Sequence, residues 1–192
     1  MMGRSFLIAC LAMTLLAACG TATEPAPSST SSSRSGTSRF GAPAVSRPRD
    51  ISSLAGKNCS ELLGNREVGG LGLTASSRSY RTLIGDAVCI WDDTPHSLRF
   101  DVSVYMNRDI LVDTYRAHLT SILEPVMVED LPGTREKSSS DAVVCTVTVA
   151  TGPNQGIEST WFGVGRGGTR RDPCDGATAV TRAILAKLPP AR

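Results

Sequence analysis

Between Leu98 and Asn107 apolar and polar positions alternate without a break: Leu98, Phe100, Val102, Val104 and Met106 fall on one side, Arg99, Asp101, Ser103, Tyr105 and Asn107 on the other. A period of two is that of a strand with one face buried. Two further runs rich in β-branched residues, Ala142 to Ala150 and Ile157 to Val164, are separated by Thr151-Gly152-Pro153-Asn154-Gln155-Gly156, which reads as a hairpin connection. Ala87 to Trp91 predicts a shorter strand, and Val126 to Glu129 another, bracketed by Pro125 and Pro132. Leu131-Pro132-Gly133 reads as a turn and Ser138-Ser139-Ser140 as an exposed loop.

Helical spacing appears in three places. From Asp109 to Leu123, Val112, Tyr115, Leu119 and Ile122 share one face, and Pro125 is expected to stop the helix. Asp172 supplies an N-cap and Pro173 a first helical residue for a stripe of Ala177, Val180, Ile184 and Leu188 that ends before Pro189-Pro190. Asn58, with Glu61 three residues later, has the form of a capping box and predicts a third, short helix. Helices separate groups of strands without a strict βαβ rhythm. The expected fold class is therefore α+β, an antiparallel sheet with helices packed mainly on one face.

The N-terminus carries an address. Met1-Met2-Gly3-Arg4 is a short positive start, and Ser5 to Ala18 is an apolar run too short to span a bilayer. It ends in Leu16-Ala17-Ala18-Cys19-Gly20, which resembles a bacterial lipobox with Cys19 as the lipidated residue. Leu7-Ile8-Ala9-Cys10 fits the same loose pattern but would leave too little apolar chain before Cys10. The expected organisation is a signal peptide over 1–18, lipidated Cys19 and a flexible tether over 19–49, and a globular domain over 50–192. S-diacylglycerol and N-acyl chains on Cys19 would anchor the protein stably at the extracytoplasmic face of the cell membrane. Residues 20–49 are dominated by Ser, Thr, Pro, Ala and Gly, with Phe40 and Val45 as the large apolar residues, a composition that forms no core of its own. Arg34, Arg39, Arg47 and Arg49 make this stretch basic, so that it could touch anionic headgroups.

A net charge of +2 over 192 residues gives no basic excess, and nucleic acid is not an expected partner. Of the 6 cysteines, Cys59, Cys89, Cys145 and Cys174 remain for the domain. An even number in an exported domain argues for two disulfides. Three connectivities are open; the near-equal spacings favour Cys59 with Cys89 and Cys145 with Cys174. Cys59 and Cys174 fall in first helical turns and Cys89 and Cys145 in strands, so such bridges would pin helix starts to the sheet. Close Cys pairs of the kind zinc and dithiol redox sites use are missing from the sequence.

Asn58-Cys59-Ser60-Glu61-Leu62-Leu63, Cys89-Ile90-Trp91, Val144-Cys145-Thr146-Val147 and Asp172-Pro173-Cys174-Asp175, in that order, resemble the actinobacterial lipoprotein family of unknown function DUF3558. The likeness runs from about Cys59 to Pro189, with one departure: Asn58 stands where the family commonly has proline. Arginine outnumbers lysine 17 to 3, in keeping with a high-GC actinobacterium such as a mycobacterium. The resemblance implies surface display and an α+β domain; it brings no catalytic residues.

Other candidate chemistry is thin. Trp91-Asp92-Asp93-Thr94-Pro95-His96 gathers two carboxylates and an imidazole, but without the ligand spacing of a calcium loop, and no metal is expected. His96 and His118 are the histidines a hydrolase would need, and no Gly-x-Ser-x-Gly elbow accompanies them. Gly163-Val164-Gly165-Arg166-Gly167-Gly168 matches G-x-G-x-x-G formally, yet the chain ends at Arg192, before a second strand and its acidic residue could follow. Arg166, Arg170 and Arg171 beside the last helix start are a candidate anion contact. Trp91 and Trp161 are expected in the core. No cofactor is expected. The leading expectation is a non-catalytic surface lipoprotein that binds a protein or envelope component; a small-ligand or lipid carrier is the alternative, and an envelope hydrolase the third.

Overall fold

The computed structural model describes residues 38–82, 86–117, 122–163 and 172–189, all within the unit Gly36–Arg192. Cys10, Cys19 and Arg34, the histidine at 118, the arginines at 166, 170 and 171, and the glycine loop beyond Gly163 lie outside the described residues. Among the described residues there are seven strands, β1 Ser76–Arg81, β2 Ala87–Asp93, β3 Leu98–Tyr105, β4 Ile122–Val128, β5 Leu131–Lys137, β6 Val144–Gly152 and β7 Gln155–Phe162. The helices are α1 Cys59–Leu62, α2 Asn65–Gly70, α3 Ile110–Ala117 and α4 Pro173–Leu185.

All pairings are antiparallel, in the order β1-β2-β3-β7-β6-β5-β4. Two meanders, β1-β2-β3 and β4-β5-β6-β7, meet where β3 pairs with β7. The chain passes from β3 to the far edge strand β4 by way of α3. This is the α+β sheet that the alternating runs predict.

One face carries the main core. Trp91, Phe100 and Trp161 stand opposite one another on β2, β3 and β7, their rings stacked at 4.8 Å and 5.8 Å between centroids and each 1% exposed. Ala177, Val180 and Ile184 of α4 pack onto this face together with Ile51, Leu62 and Val68 from the segment preceding β1. The buried hydroxyls of α4 are satisfied locally: Thr178 donates to Cys174 O at 2.6 Å, and Thr181 donates to Ser159 Oγ at 3.0 Å and lies the same distance from Ala177 O. On the opposite face, α3 forms a smaller cluster in which Leu111 meets Ala42 and Ala150.

Both disulfides join a helix start to a strand. Cys59 at the head of α1 is bonded to Cys89 of β2, and Cys145 of β6 to Cys174 of α4, with Cα separations of 5.3 Å and 5.0 Å. The capping box at Asn58 is formed, with Asn58 Oδ1 accepting from the Glu61 amide and Glu61 Oε2 from the Asn58 amide. Asp172 caps α4 through the Cys174 amide at 2.8 Å.

Three local readings are corrected. The helix expected over 109–123 is Ile110–Ala117, and Ile122 and Leu123 already belong to β4. Pro125 does not stop a helix but sits inside β4, an edge strand, where a missing amide need cost no ladder bond. Leu131-Pro132-Gly133 is not a turn but the start of β5; the chain reverses two residues earlier, with Glu129 at φ 57°. The pairing of β5 with β6 begins only at Gly133, so Pro132 breaks no bond there. A side chain at Gly133 would bring Cβ within 2.3 Å of Thr148 O, so the glycine serves close strand approach rather than turning. The β6–β7 hairpin is where it was expected but tighter, with Pro153 and Asn154 between the paired residues Gly152 and Gln155.

The segment read as tether is held to the domain over its last part. Arg39 Nη1 donates to Asp109 Oδ2 at 2.8 Å, and its other nitrogens to Ala42 O and Pro43 O. The Arg49 amide donates to Thr151 O at 2.7 Å, and Arg49 Nη2 to Asp130 at 2.6 Å. Ordered contacts thus begin before the composition changes at residue 50.

Candidate functional site

Where β1 ends, β2 begins and β3 finishes, the segment from Leu54 to Asn58 stands away from the sheet and leaves an open cleft of about 1080 Å³. Each wall follows from a local feature. The Asn58 capping box fixes the start of α1, and the Cys59–Cys89 bridge ties that start to β2, so the 54–58 segment is held at a set distance from the strands. Leu54, Leu62 and Val102, all buried, form an apolar floor, which Val104 and Met106 extend.

The rim is polar and aromatic. Lys57, Arg81, Asp86 and Arg108 border the cleft, as does Tyr80, which is 44% exposed. Arg108 is held in place from several sides. Its Nε donates to Asp113 Oδ2 at 2.5 Å, its Nη1 lies 3.6 Å from Asp86, and the guanidinium sits 5.6 Å from the centre of the Tyr105 ring. Asp113 also accepts from Arg116. Asp109 Oδ1 accepts from the Val112 amide, which caps the start of α3 and keeps Arg108 beside the cleft.

Two titratable groups behind the rim are displaced from their ordinary values. Burial, helped by the nearby Glu158 carboxylate, pushes the Tyr105 phenol up to about 12. Burial first, and the negative charge of Glu136 second, raise the Glu158 carboxyl. The Tyr105 hydroxyl lies 3.5 Å from Glu158 Oε1 and is placed to donate to it. Perturbed groups beside an open cleft are where binding or chemistry concentrates. At the cleft they leave the Tyr105 phenol neutral beside the Arg108 guanidinium, a pair suited to orienting a polar ligand end.

Among the described residues singled out from sequence, Cys89 lines this cleft, and Asp92, Asp93 and Trp161 do not. Asp92 and Asp93 are neighbours on β2 and point to opposite faces. Asp92 accepts from Arg78 at 3.1 Å, while the buried Asp93 accepts from the Thr74 amide at 3.2 Å. Among the described residues, no group of three or more His, Cys, Asp or Glu side chains converges as a metal site would. Trp161 is in the core, donating its indole N–H to Gly163 O at 3.1 Å. At the start of α4, Lys137 donates to Asp172 at 3.0 Å. Burial pushes the Asp172 carboxyl up, but the hydrogen bonds from Lys137 and the Cys174 amide outweigh it and hold it below the usual range.

Sequence reading missed Lys57, Tyr80, Asp86 and Arg108. The one available signal was Tyr105, a large aromatic on the polar side of the alternating strand.

The model of the family described as "Protein of unknown function (DUF3558)" matches residues 14–187. The chain belongs to the DUF3558 family. The match extends well upstream of the first domain cysteine, into the region of the apolar N-terminal run. Neither the curated proteins nor the solved structures searched contain a match. Among the described residues of this DUF3558 protein, no helix is long and apolar enough to cross a membrane.

Proposed function

We propose that this DUF3558 protein is a lipoprotein, anchored through Cys19 at the extracytoplasmic face of a cell membrane, whose domain is a binding module rather than an enzyme. The observation that carries the reading is the pair of disulfides, which takes up Cys59, Cys89, Cys145 and Cys174. Disulfides form and persist in oxidising compartments, so the domain chemistry agrees with the export signal that ends at Cys19. The partner is a protein or another envelope component, met at the cleft between the 54–58 segment and the sheet.

Metabolic labelling with a clickable palmitate analogue, followed by membrane fractionation of the wild type and Cys19→Ala, tests the anchor. Label and membrane association in the wild type, with label lost in the variant, are expected. Equal labelling of both, or an unlabelled wild type in the soluble fraction, overturns the anchor.

A carrier of a small ligand is the second reading, favoured by the apolar floor of the cleft.

A further inference from the structure

The face of the sheet beneath α3 is polar where the face beneath α4 is apolar. Residues that stand opposite one another in an antiparallel ladder share a face, so Glu158 of β7, Thr148 of β6 and Thr134 of β5 form one row. Thr160, Thr146 and Glu136 form the adjoining row on the same three strands. Ala150, two residues beyond Thr148 on β6, packs against Leu111 of α3, which puts both rows on the α3 side.

Several of these groups bond to one another. Thr146 and Thr160 share a hydrogen bond of 3.0 Å, and Thr134 Oγ1 donates to Glu136 Oε1 at 3.5 Å. Thr148 differs: it is fully buried, its Oγ1 has no hydrogen-bond partner, and it stands between Glu158 on one neighbouring strand and Thr134 on the other. Glu136 is near enough to act on Glu158 as a like charge, while the Arg108 guanidinium that also reaches Glu158 is already paired with Asp113 and Asp86. A buried hydroxyl without a partner and two carboxylates that repel are both unfavourable. A single cation between them relieves both, because it takes a lone pair from the hydroxyl and offsets the charge of each carboxylate.

Carboxylate and hydroxyl oxygens suit a hard cation, and donors whose spacing is fixed by three strands suit the irregular geometry of Ca²⁺ better than the strict octahedron of Mg²⁺. We propose that the α3-side face of the sheet holds a calcium site, with Glu158 and Glu136 as carboxylate ligands, Thr148 and Thr134 as hydroxyl ligands, and water completing the shell. With two carboxylates rather than three, the site depends on its hydroxyls, and on Thr148 above all. Its affinity belongs with the weak extracellular calcium modules, about 10⁻⁴–10⁻³ M. The site is separate from the cleft and does not rest on the lipoprotein reading.

The test uses the full chain, purified in a nonionic detergent and stripped of metal with a chelator. Terbium is titrated as a luminescent stand-in for calcium, with Tyr105, whose hydroxyl lies 3.5 Å from Glu158 Oε1, as the sensitiser. Saturable tyrosine-sensitised emission that CaCl₂ displaces, and a thermal midpoint raised by CaCl₂, are expected of the wild type. Two variants locate the site. Thr148→Val removes the unpartnered hydroxyl at nearly constant size, and Glu158→Gln removes a carboxylate; in chelator each should melt no lower than the wild type, and each should bind calcium at least tenfold more weakly. A wild type with neither saturable emission nor a midpoint shift overturns the site, and so does either variant that keeps the wild-type affinity. A Thr148→Val protein that melts lower than the wild type in chelator also overturns it, because the hydroxyl would then be bonded within the fold.

Discussion

Gly176 of α4 lies directly against the indole of Trp161: a Cβ on this glycine would come within 2.4 Å of the ring. Two residues before it, Cys174 is bonded to Cys145, which stands opposite Trp161 in the β6–β7 ladder. The helix is thus brought onto the sheet by a covalent bond and seated there by the absence of a side chain. Gly176→Ala is expected to overpack this contact and cost about 1–3 kcal/mol. Urea unfolding followed by tryptophan fluorescence reads the change, and an unaltered midpoint would mean that α4 shifts without cost.

The two bridges close loops of similar length, with separations of 30 and 29 residues. Removing either pair, as Cys59→Ala/Cys89→Ala or Cys145→Ala/Cys174→Ala, is expected to cost about 2–5 kcal/mol. The first pair should also loosen the 54–58 segment that walls the cleft. Hydrogen exchange of the amides from Leu54 to Leu63 is the check: faster exchange in the first double variant than in the second is expected, and the reverse order would detach the cleft wall from its bridge.

Glu158 gives the domain a pH dependence of unusual sign for a carboxylate. Burial, with Glu136 adding repulsion, raises its value in the fold above the ordinary 4.5. Below the unfolded value the side chain is neutral in both states and carries no penalty. As pH rises from there through the folded value, ionisation favours the unfolded chain and stability is lost. Glu158→Gln removes this loss, so the variant should match the wild type near pH 4 and exceed it near pH 7 in urea midpoint. A variant weaker than the wild type near pH 7 would show that the ionised carboxylate stabilises the fold.

Much of this architecture was legible because its signals are local. Asp172-Pro173 before α4, Asn58 with Glu61 at α1, and the alternation from Leu98 to Tyr105 each place their determinants within a few residues, and each element forms there. β1 escaped because all six of its residues, Ser76–Arg81, are exposed and show no alternation of burial. β5 was hidden by Pro132 and Gly133, whose turn propensity is overridden by a ladder that starts late and a backbone approach that only glycine permits. α3 is shorter than its apolar stripe: its buried residues are Ile110 and Leu111, while Ile122 serves β4 instead. The cleft was not legible, because Lys57, Arg81 and Arg108 come from three separate segments and meet only through the sheet order.

The strap that carries Arg39 should be separable from the domain. Its pair with Asp109 is partly exposed, with side-chain exposures of 36% and 18%, so Arg39→Ala is expected to cost only about 0–1 kcal/mol of global stability. Limited trypsin digestion should nevertheless cut faster after Arg49 in the variant, because the Ala42 anchorage is weakened with the ion pair. Unchanged cleavage would show that Ala42 and the Arg49 contacts hold the strap without Arg39.

The central claim, an exported and lipid-anchored domain closed by two disulfides, is tested most directly by the intact mass of the purified protein under denaturing, non-reducing conditions. The account predicts a chain that begins at Cys19, is heavier by its acyl groups and lighter by two hydrogens for each bridge, with the thiols appearing only after reduction. A chain that begins upstream of Cys19, carries no acyl mass and reacts with thiol reagents before reduction would contradict it.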